Sequence, residues 1–310
     1  MVAGVIVMKR FFRSGLLLLL SGVLLWFLAD AAAVRTAAAE ALRLCAGSVI
    51  PALLPFLIVS DLLISLEFDR SLSPRLSGLM ALYGLPGCAG SALLLGLIGG
   101  YPIGARTAAA LYRQGRLTRP ETECLLSFCN NSNPVFLISV LGVGVFGSRR
   151  VGVWLWLIHL LSALLTGLLF RRRHSSSPRA RPPVPPEPPA LTAALSGALA
   201  RSTSSMLSIS VCVLFFYVLL TPLRSLTGRL PSLLIGLTEL FSLTPRLTAD
   251  LPGLVLAAGC AGWGGCSVLL QTAAVLQESG LSRKPCLRGK ALQGLLSALL
   301  AWLFSGWILA

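Results

Sequence analysis

The sequence predicts an all-α, polytopic membrane protein with about seven spanning helices, two re-entrant or broken helical hairpins, and two pseudo-repeated halves. Three observations predict it. The 310-residue chain is 55% hydrophobic and only 12% charged, whereas an ordinary soluble domain carries ~25% charge. Its mean hydropathy of +0.82 excludes disorder, which requires low hydrophobicity. The apolar residues also fall in runs close to the ~17–25 residues that cross a bilayer as a helix. The ~10-residue alternating strands of a barrel are absent, and a helix satisfies its own backbone in lipid.

Taken in order, the first run covers residues 14–28, behind Lys9, Arg10 and Arg13. Ala29-Asp30-Ala31 resembles a signal-peptidase site, but the apolar character continues through Val34, so a retained first helix is expected. The second run, 44–66, holds Pro51, Pro55 and Asp61. The third, 76–98, reads as one helix ending in Gly99-Gly100-Tyr101-Pro102-Ile103-Gly104, with a short amphipathic stretch at 105–114. The fourth, 124–146, is broken by Asn130-Asn131-Ser132-Asn133-Pro134, and the fifth, 151–170, is the cleanest span. Seven of the twelve residues 178–189 are proline and residues 171–173 are all arginine, so 171–189 reads as a solvated linker. It separates a first half, 1–170, from a second, 190–310. The second half has runs at 206–223, 230–243 (with Glu239), 251–277 (interrupted by Gly262-Trp263-Gly264-Gly265) and 291–309.

The formal charge of +15 comes from 26 basic and 11 acidic residues. The basic residues lie between apolar runs, as the positive-inside rule requires, and no nucleic-acid signature interrupts them. Nucleic acid is therefore not an expected partner. The eight cysteines form no Cys-x-x-Cys pair and only two histidines are present, so the thiols read as packing residues and no metal is expected. No cofactor motif or nucleophile–base pair appears, and Ser267 has no well-placed base. An enzyme is not expected.

Residues 99–115 and 264–280 match at seven of seventeen positions, at a constant offset of 165. They share a double glycine, Thr-Ala-Ala and a terminal glycine. Each half also carries an acid upstream of its double glycine, Asp61 and Glu239. Paired halves with Gly/Pro-interrupted segments are the pattern of secondary transporters, where the interruptions bound the substrate site. Gly100, Gly104, Gly264 and Gly265 allow close backbone approach, Pro102 ends one half-helix or starts the next, and the free N–H groups of a half-helix start favour an anion. Arg106, one turn on, adds formal charge. Asn130 and Asn131 supply donors and acceptors in an apolar run, where bare amides are expensive. Glu239 is the better candidate for a proton carrier, and Asp61 reads equally well as an interfacial residue. His159 reads as a bonded core histidine, and Trp154, Trp156, Trp302 and Trp307 fit interfacial belts.

The motifs Gly100-Tyr101-Pro102-Ile103-Gly104-Ala105, Leu126-Ser127-Phe128-Cys129-Asn130-Asn131, Gly262-Trp263-Gly264-Gly265 with Ser267, and Leu292-Gln293-Gly294-Leu295-Leu296-Ser297-Ala298 resemble the YlbJ (SpoVV) family of sporulation integral membrane proteins. That family carries a nucleoside-recognition, or gate, domain. The resemblance covers about residues 51–300. It implies a role in endospore formation, in passing dipicolinic acid across the membrane that the mother cell places around the forespore. On that basis the substrate-binding residues are Gly100, Tyr101, Pro102, Gly104, Arg106, Asn130, Asn131, Glu239, Gly264, Gly265 and Ser267, and Trp263 offers a stacking face. The expected partners are a small anionic solute and membrane lipid, and a second copy of the chain stays open. A nucleoside-type solute and a non-transporting scaffold in spore assembly are the rival readings.

With the N-terminus inside, the positive-inside rule puts Arg171 and the linker in the cytoplasm, together with Arg283, Lys284, Arg288 and Lys290. Ala180→Cys should accordingly be labelled by a membrane-impermeant thiol reagent only from the cytoplasmic side.

Overall fold

A computed structural model describes residues 2–66, 68–171, 189–223, 231–277 and 279–310. Nearly all of the linker, and Arg224 and Arg229, lie outside the described residues. Among the described residues every regular element is helical. Four helical stretches among the described residues are long and apolar enough to cross a membrane: Ala31–Ser65, Arg149–Leu169, Leu191–Leu223 and Leu251–Gln277. Shorter apolar helices cover Ser14–Ala29, Ala89–Gly99 and Phe136–Val145.

Helix α1 (Val2–Ala29) runs almost directly into α2 (Ala31–Leu44), and the Asp30 carboxylate caps α2 by accepting from the Ala33 amide at 3.2 Å. A π-helical turn, Cys45–Val49, leads to α3 (Ile50–Ser65). Pro51, which has no amide to donate, follows directly on the π-helical turn, where the regular α-helical ladder is already interrupted. The predicted helix over 76–98 does not form as one piece. α4 (Phe68–Ala81) stops before Tyr83-Gly84-Leu85-Pro86, and α5 (Ala89–Gly99) starts afresh. Gly84 takes a φ of +68° and Pro86 cannot continue a helix, so the apolar run folds into two short helices. At 11 residues, α5 spans only about 16 Å at 1.5 Å per residue, roughly half the hydrocarbon thickness.

α6 (Ile103–Arg113) returns alongside α5. α7 (Arg119–Leu125) begins with a capping box between Thr118 and Glu121. Non-helical backbone follows, then a π-helical segment, Phe136–Val145, and α8 (Arg149–Leu169). In the second half α9 (Leu191–Leu219) starts well before the predicted run at 206, carrying Arg201 and a row of serines into the helix. α10 (Ser232–Thr238) and α11 (Leu240–Leu243) are split by Glu239. α12 (Leu251–Trp263) and α13 (Gly265–Gln277) are joined at Gly264, and α14 (Lys284–Leu303) and α15 (Ser305–Ile308) close the chain.

The two glycine interruptions differ. The first folds the chain back, with α5 packed on α6. The second only redirects it, because α12 packs on α14 and α8 while α13 packs on α6 and α9. The first break has Tyr101-Pro102 behind its glycines and the second has Cys266-Ser267, so only the first spends three residues outside helix. Two of the matched glycine pairs share a positive φ, Gly100 and Gly265 at +82° and +85° and Gly115 and Gly280 at +68° and +62°, whereas Gly99 ends helix α5 and its counterpart Gly264 has a φ of +88°. The halves interlock, with α9 lying on α2 and α3.

Close helix crossings use small residues, the usual device where lipid supplies no hydrophobic drive. A side chain at Gly262 would meet Gly294 and the Gln293 carbonyl at 2.8 Å, which fixes α12 against α14. At Gly96 and Gly104, on facing legs of the α5–α6 pair, a Cβ would collide with the Cys129 carbonyl. Both legs therefore grip the non-helical segment through its backbone. Gly96→Val should lower thermal stability in detergent by about 1–3 kcal/mol, the usual cost of overpacking, with the melting temperature as the measure.

Candidate functional site

The site begins with backbone that is not helical. Between α7 and Pro134 the chain runs through Leu126-Ser127-Phe128-Cys129-Asn130-Asn131-Ser132-Asn133, all of them buried. Its polar groups must be paired inside the protein. Asn130 Nδ2 donates to Thr272 Oγ1 of α13 at 2.9 Å. Asn131 Nδ2 donates to the Phe128 carbonyl at 2.8 Å, and Asn131 Oδ1 accepts from Gln293 Nε2 of α14 at 2.8 Å. Asn133 Oδ1 accepts from the Phe136 amide at 2.8 Å, starting the next helix. The Ser132 amide donates to His159 Nε2 of α8 at 3.1 Å, so His159 is bonded in the core as expected. Two amide atoms stay buried with no partner, Asn130 Oδ1 and Asn133 Nδ2.

Lys290 is the main correction. Its neighbours Arg283, Lys284 and Arg288 read as loop charge, and Lys290 was expected with them at the cytoplasmic surface. It is 1% exposed. Its ammonium donates to the Asn130 carbonyl at 3.0 Å and to Gln293 Oε1 at 2.8 Å. It also lies 3.2 Å from the Tyr101 hydroxyl and 4.9 Å from that ring's centroid, a cation–π contact. Gly289, next to it, lets α14 close on the Ser127 carbonyl, and this small-residue position is the one sequence signal that the turn carrying Lys290 is buried.

The two glycine breaks meet. A Cβ on Gly264 would stand 3.2 Å from the Tyr101 hydroxyl, and that hydroxyl donates to the Ala261 carbonyl of α12 at 2.8 Å. A Cβ on Gly265 would stand 3.1 Å from the Thr238 carbonyl, which places the second break against Glu239. Glu239 is 1% exposed and extended between α10 and α11. Its carboxylate accepts from the Phe241 amide at 3.0 Å and from the Ser242 amide, so it caps α11.

Gly100, Tyr101, Asn133, Glu239, Ser267 and Gln271 line a small inner cavity. Its volume of about 30 Å³ has room for a water or two. Beside it lies an outer cleft of about 550 Å³, lined by Pro102, Arg106, Arg113, Arg201, Asp61 and Gln271 among others. That volume is in the range of small-molecule sites. Gln271 and the Gly100–Pro102 tip belong to both spaces, so the tip stands between them. In the cleft Arg106 pairs with Asp61 at 3.6 Å and donates to Ser205 at 2.7 Å. Asp61 also accepts from Ser202 at 3.0 Å, and Arg201 donates to Ser65 at 2.5 Å. Among the described residues Arg106, Arg113, Arg201 and Asp61 are the charged groups that line it.

The predicted residues thus sort themselves. Gly100, Tyr101, Glu239 and Ser267 line the inner cavity, while Pro102 and Arg106 line the cleft. Asn130, Asn131, Gly104, Gly264 and Gly265 lie behind these walls and hold them together. Trp263 donates its indole N–H to the Leu237 carbonyl at 2.9 Å and lines neither space, so it offers no stacking face to either. Asn133, Gln271, Gln293, Lys290 and the serines of α9 were missed. Gln293→Leu removes partners of both Asn131 and Lys290, at about 1–3 kcal/mol for each buried group left bare. The variant should melt clearly below the parent in detergent, by more than Gln277→Leu, a change at an exposed end of α13.

The chain is similar to the sporulation integral membrane protein YlbJ of Bacillus subtilis (strain 168), at 28% identity over 84% of this chain and 76% of that protein. No family profile matches the chain, and no solved structure matches it. An integral membrane relative and several apolar helices together make this a multi-pass membrane protein.

Proposed function

We propose a transport function for the chain, on the premise that it is a member of the YlbJ family of sporulation integral membrane proteins, an assignment its similarity over 84% of its length supports. The cargo is a small anionic solute of the dipicolinate class, and the barrier is the membrane that the mother cell places around the forespore. The observation that carries the reading is the position of the Gly100–Pro102 tip, between a ligand-sized cleft lined by guanidinium groups and a cavity too small for any solute. A polar space that stops at a glycine-hinged tip in an apolar protein has the geometry of an entrance before a closed gate. Arg106, Arg113 and Arg201 would collect a dianion there through charge-assisted hydrogen bonds.

The next step has its own chemistry. Past the tip the solute meets Glu239, and two carboxylates brought together cannot both stay ionised at low cost. A dianion entering the inner cavity is therefore accompanied by a proton, and Glu239 is the group positioned to take it. Asn133 Nδ2, buried with no partner, is the neutral donor that the solute meets at the same place. No enzymatic step is part of this reading.

Purified protein in proteoliposomes should take up dipicolinate to saturation. Asn133→Leu should slow uptake about tenfold, the worth of one hydrogen bond to a charged group. Glu239→Gln should flatten the pH dependence of uptake while solute binding persists. Competition by nucleosides would redirect the substrate class, and inert vesicles would return the protein to a scaffolding role.

A further inference from the structure

Lys290 has no part in the route just described, yet it is a fully buried basic residue at the meeting point of the two halves. Its ammonium is held by the Asn130 carbonyl, Gln293 Oε1 and the Tyr101 hydroxyl, at 3.0, 2.8 and 3.2 Å, with the Tyr101 ring beneath. These partners come from the non-helical segment, from α14 and from the α5–α6 tip. The other titratable groups around it are Cys129 on the segment, Cys286 on its own helix and His159 on α8. None of its bonding partners is a carboxylate. For stability alone this is a poor choice, because a buried charge seldom outperforms an apolar side chain of similar size. Neutral oxygens converging on one positive charge are instead how a protein replaces the hydration shell of a monovalent ion.

We propose that Lys290 is a tethered cation that latches the Tyr101 tip and the Asn130 segment to α14, occupying the place where a transporter would otherwise require a bound alkali ion. This rests on the transport reading above. Two of the ammonium's partners, Tyr101 and Asn130, belong to the tip and the segment that border the cavity, and the third, Gln293, belongs to α14 behind them, so the charge is placed to hold the closed arrangement together. Because the cation is covalently attached, flux needs no dissolved one.

The test uses dipicolinate flux in proteoliposomes. Wild-type flux should be equal in sodium, potassium and choline media. Lys290→Met, which keeps length and loses charge, should cut the maximal rate about tenfold, the equivalent of one charge-assisted hydrogen bond. The half-saturating concentration should barely move, since the cleft is untouched, and Lys290→Arg should recover part of the rate. A wild type that needs sodium or potassium overturns the proposal even if Lys290→Met fails to insert, and so does an inserted Lys290→Met with normal flux. In both of those cases the transport reading survives. A wild type that moves no solute under any condition overturns both.

Discussion

The structure depends on one requirement: eight residues of non-helical backbone, from Leu126 to Asn133, are buried and must be satisfied inside the protein. Each surrounding element answers it in a different way. α5 and α6 omit side chains at Gly96 and Gly104 so that the Cys129 carbonyl fits between them, and α14 does the same at Gly289 for Ser127. α8 contributes His159 to the Ser132 amide, α13 contributes Thr272 to Asn130, and α14 contributes Gln293 and Lys290. An unpaired group in that setting would cost several kcal/mol, so helices from both halves are drawn to the same short stretch. This demand joins the halves through polar contacts, beside an apolar cluster that also draws on both, with Phe136 and Leu155 packed among Leu254 and Ala257.

The electrostatics divide along the same line. On the segment's inner side Lys290 is enclosed by neutral oxygens and carbon. On the outer side the charges pair across wet space, as Arg106 does with Asp61. Long α9 borders this outer side with Ser204, Ser205 and Ser208, side chains small enough to leave room and polar enough to keep it hydrated. The Gly100–Pro102 tip marks the boundary, and its tyrosine reaches from one side to the other.

Features that break an apolar pattern were legible in the sequence. The Gly-Tyr-Pro tip, the asparagine cluster and the intramembrane Glu239 each stand out against hydrophobic neighbours, and all three border or support the site. What stayed hidden depends on direction or context. A non-helical segment has no periodicity, so nothing in Asn130-Asn131-Ser132-Asn133 said that Asn133 would face the cavity while the first two faced inward. Lys290 follows three other basic residues, which made it look like loop charge. Tyr83-Gly84-Leu85-Pro86 carries a turn signal, but it is buried in the apolar run 76–98, which reads as one helical leg of a re-entrant hairpin. α9 was read short because its first half, with Arg201 and its serines, is too polar to resemble a membrane helix until the cleft explains it.

Consider the Cys129 carbonyl once more, held between Gly96 and Gly104 with no side chain to cushion it. In mechanical terms it is a rivet. Neither leg of the hairpin can slide along the segment without driving a backbone oxygen into a backbone carbon, so the three strands of chain must swing as one body. The Tyr101 tip is then the far end of a lever whose fulcrum is that oxygen. Any displacement that widens the gap at Gly264 has to be transmitted through the segment to α8 and α14, so the tip of this molecule cannot flap on its own.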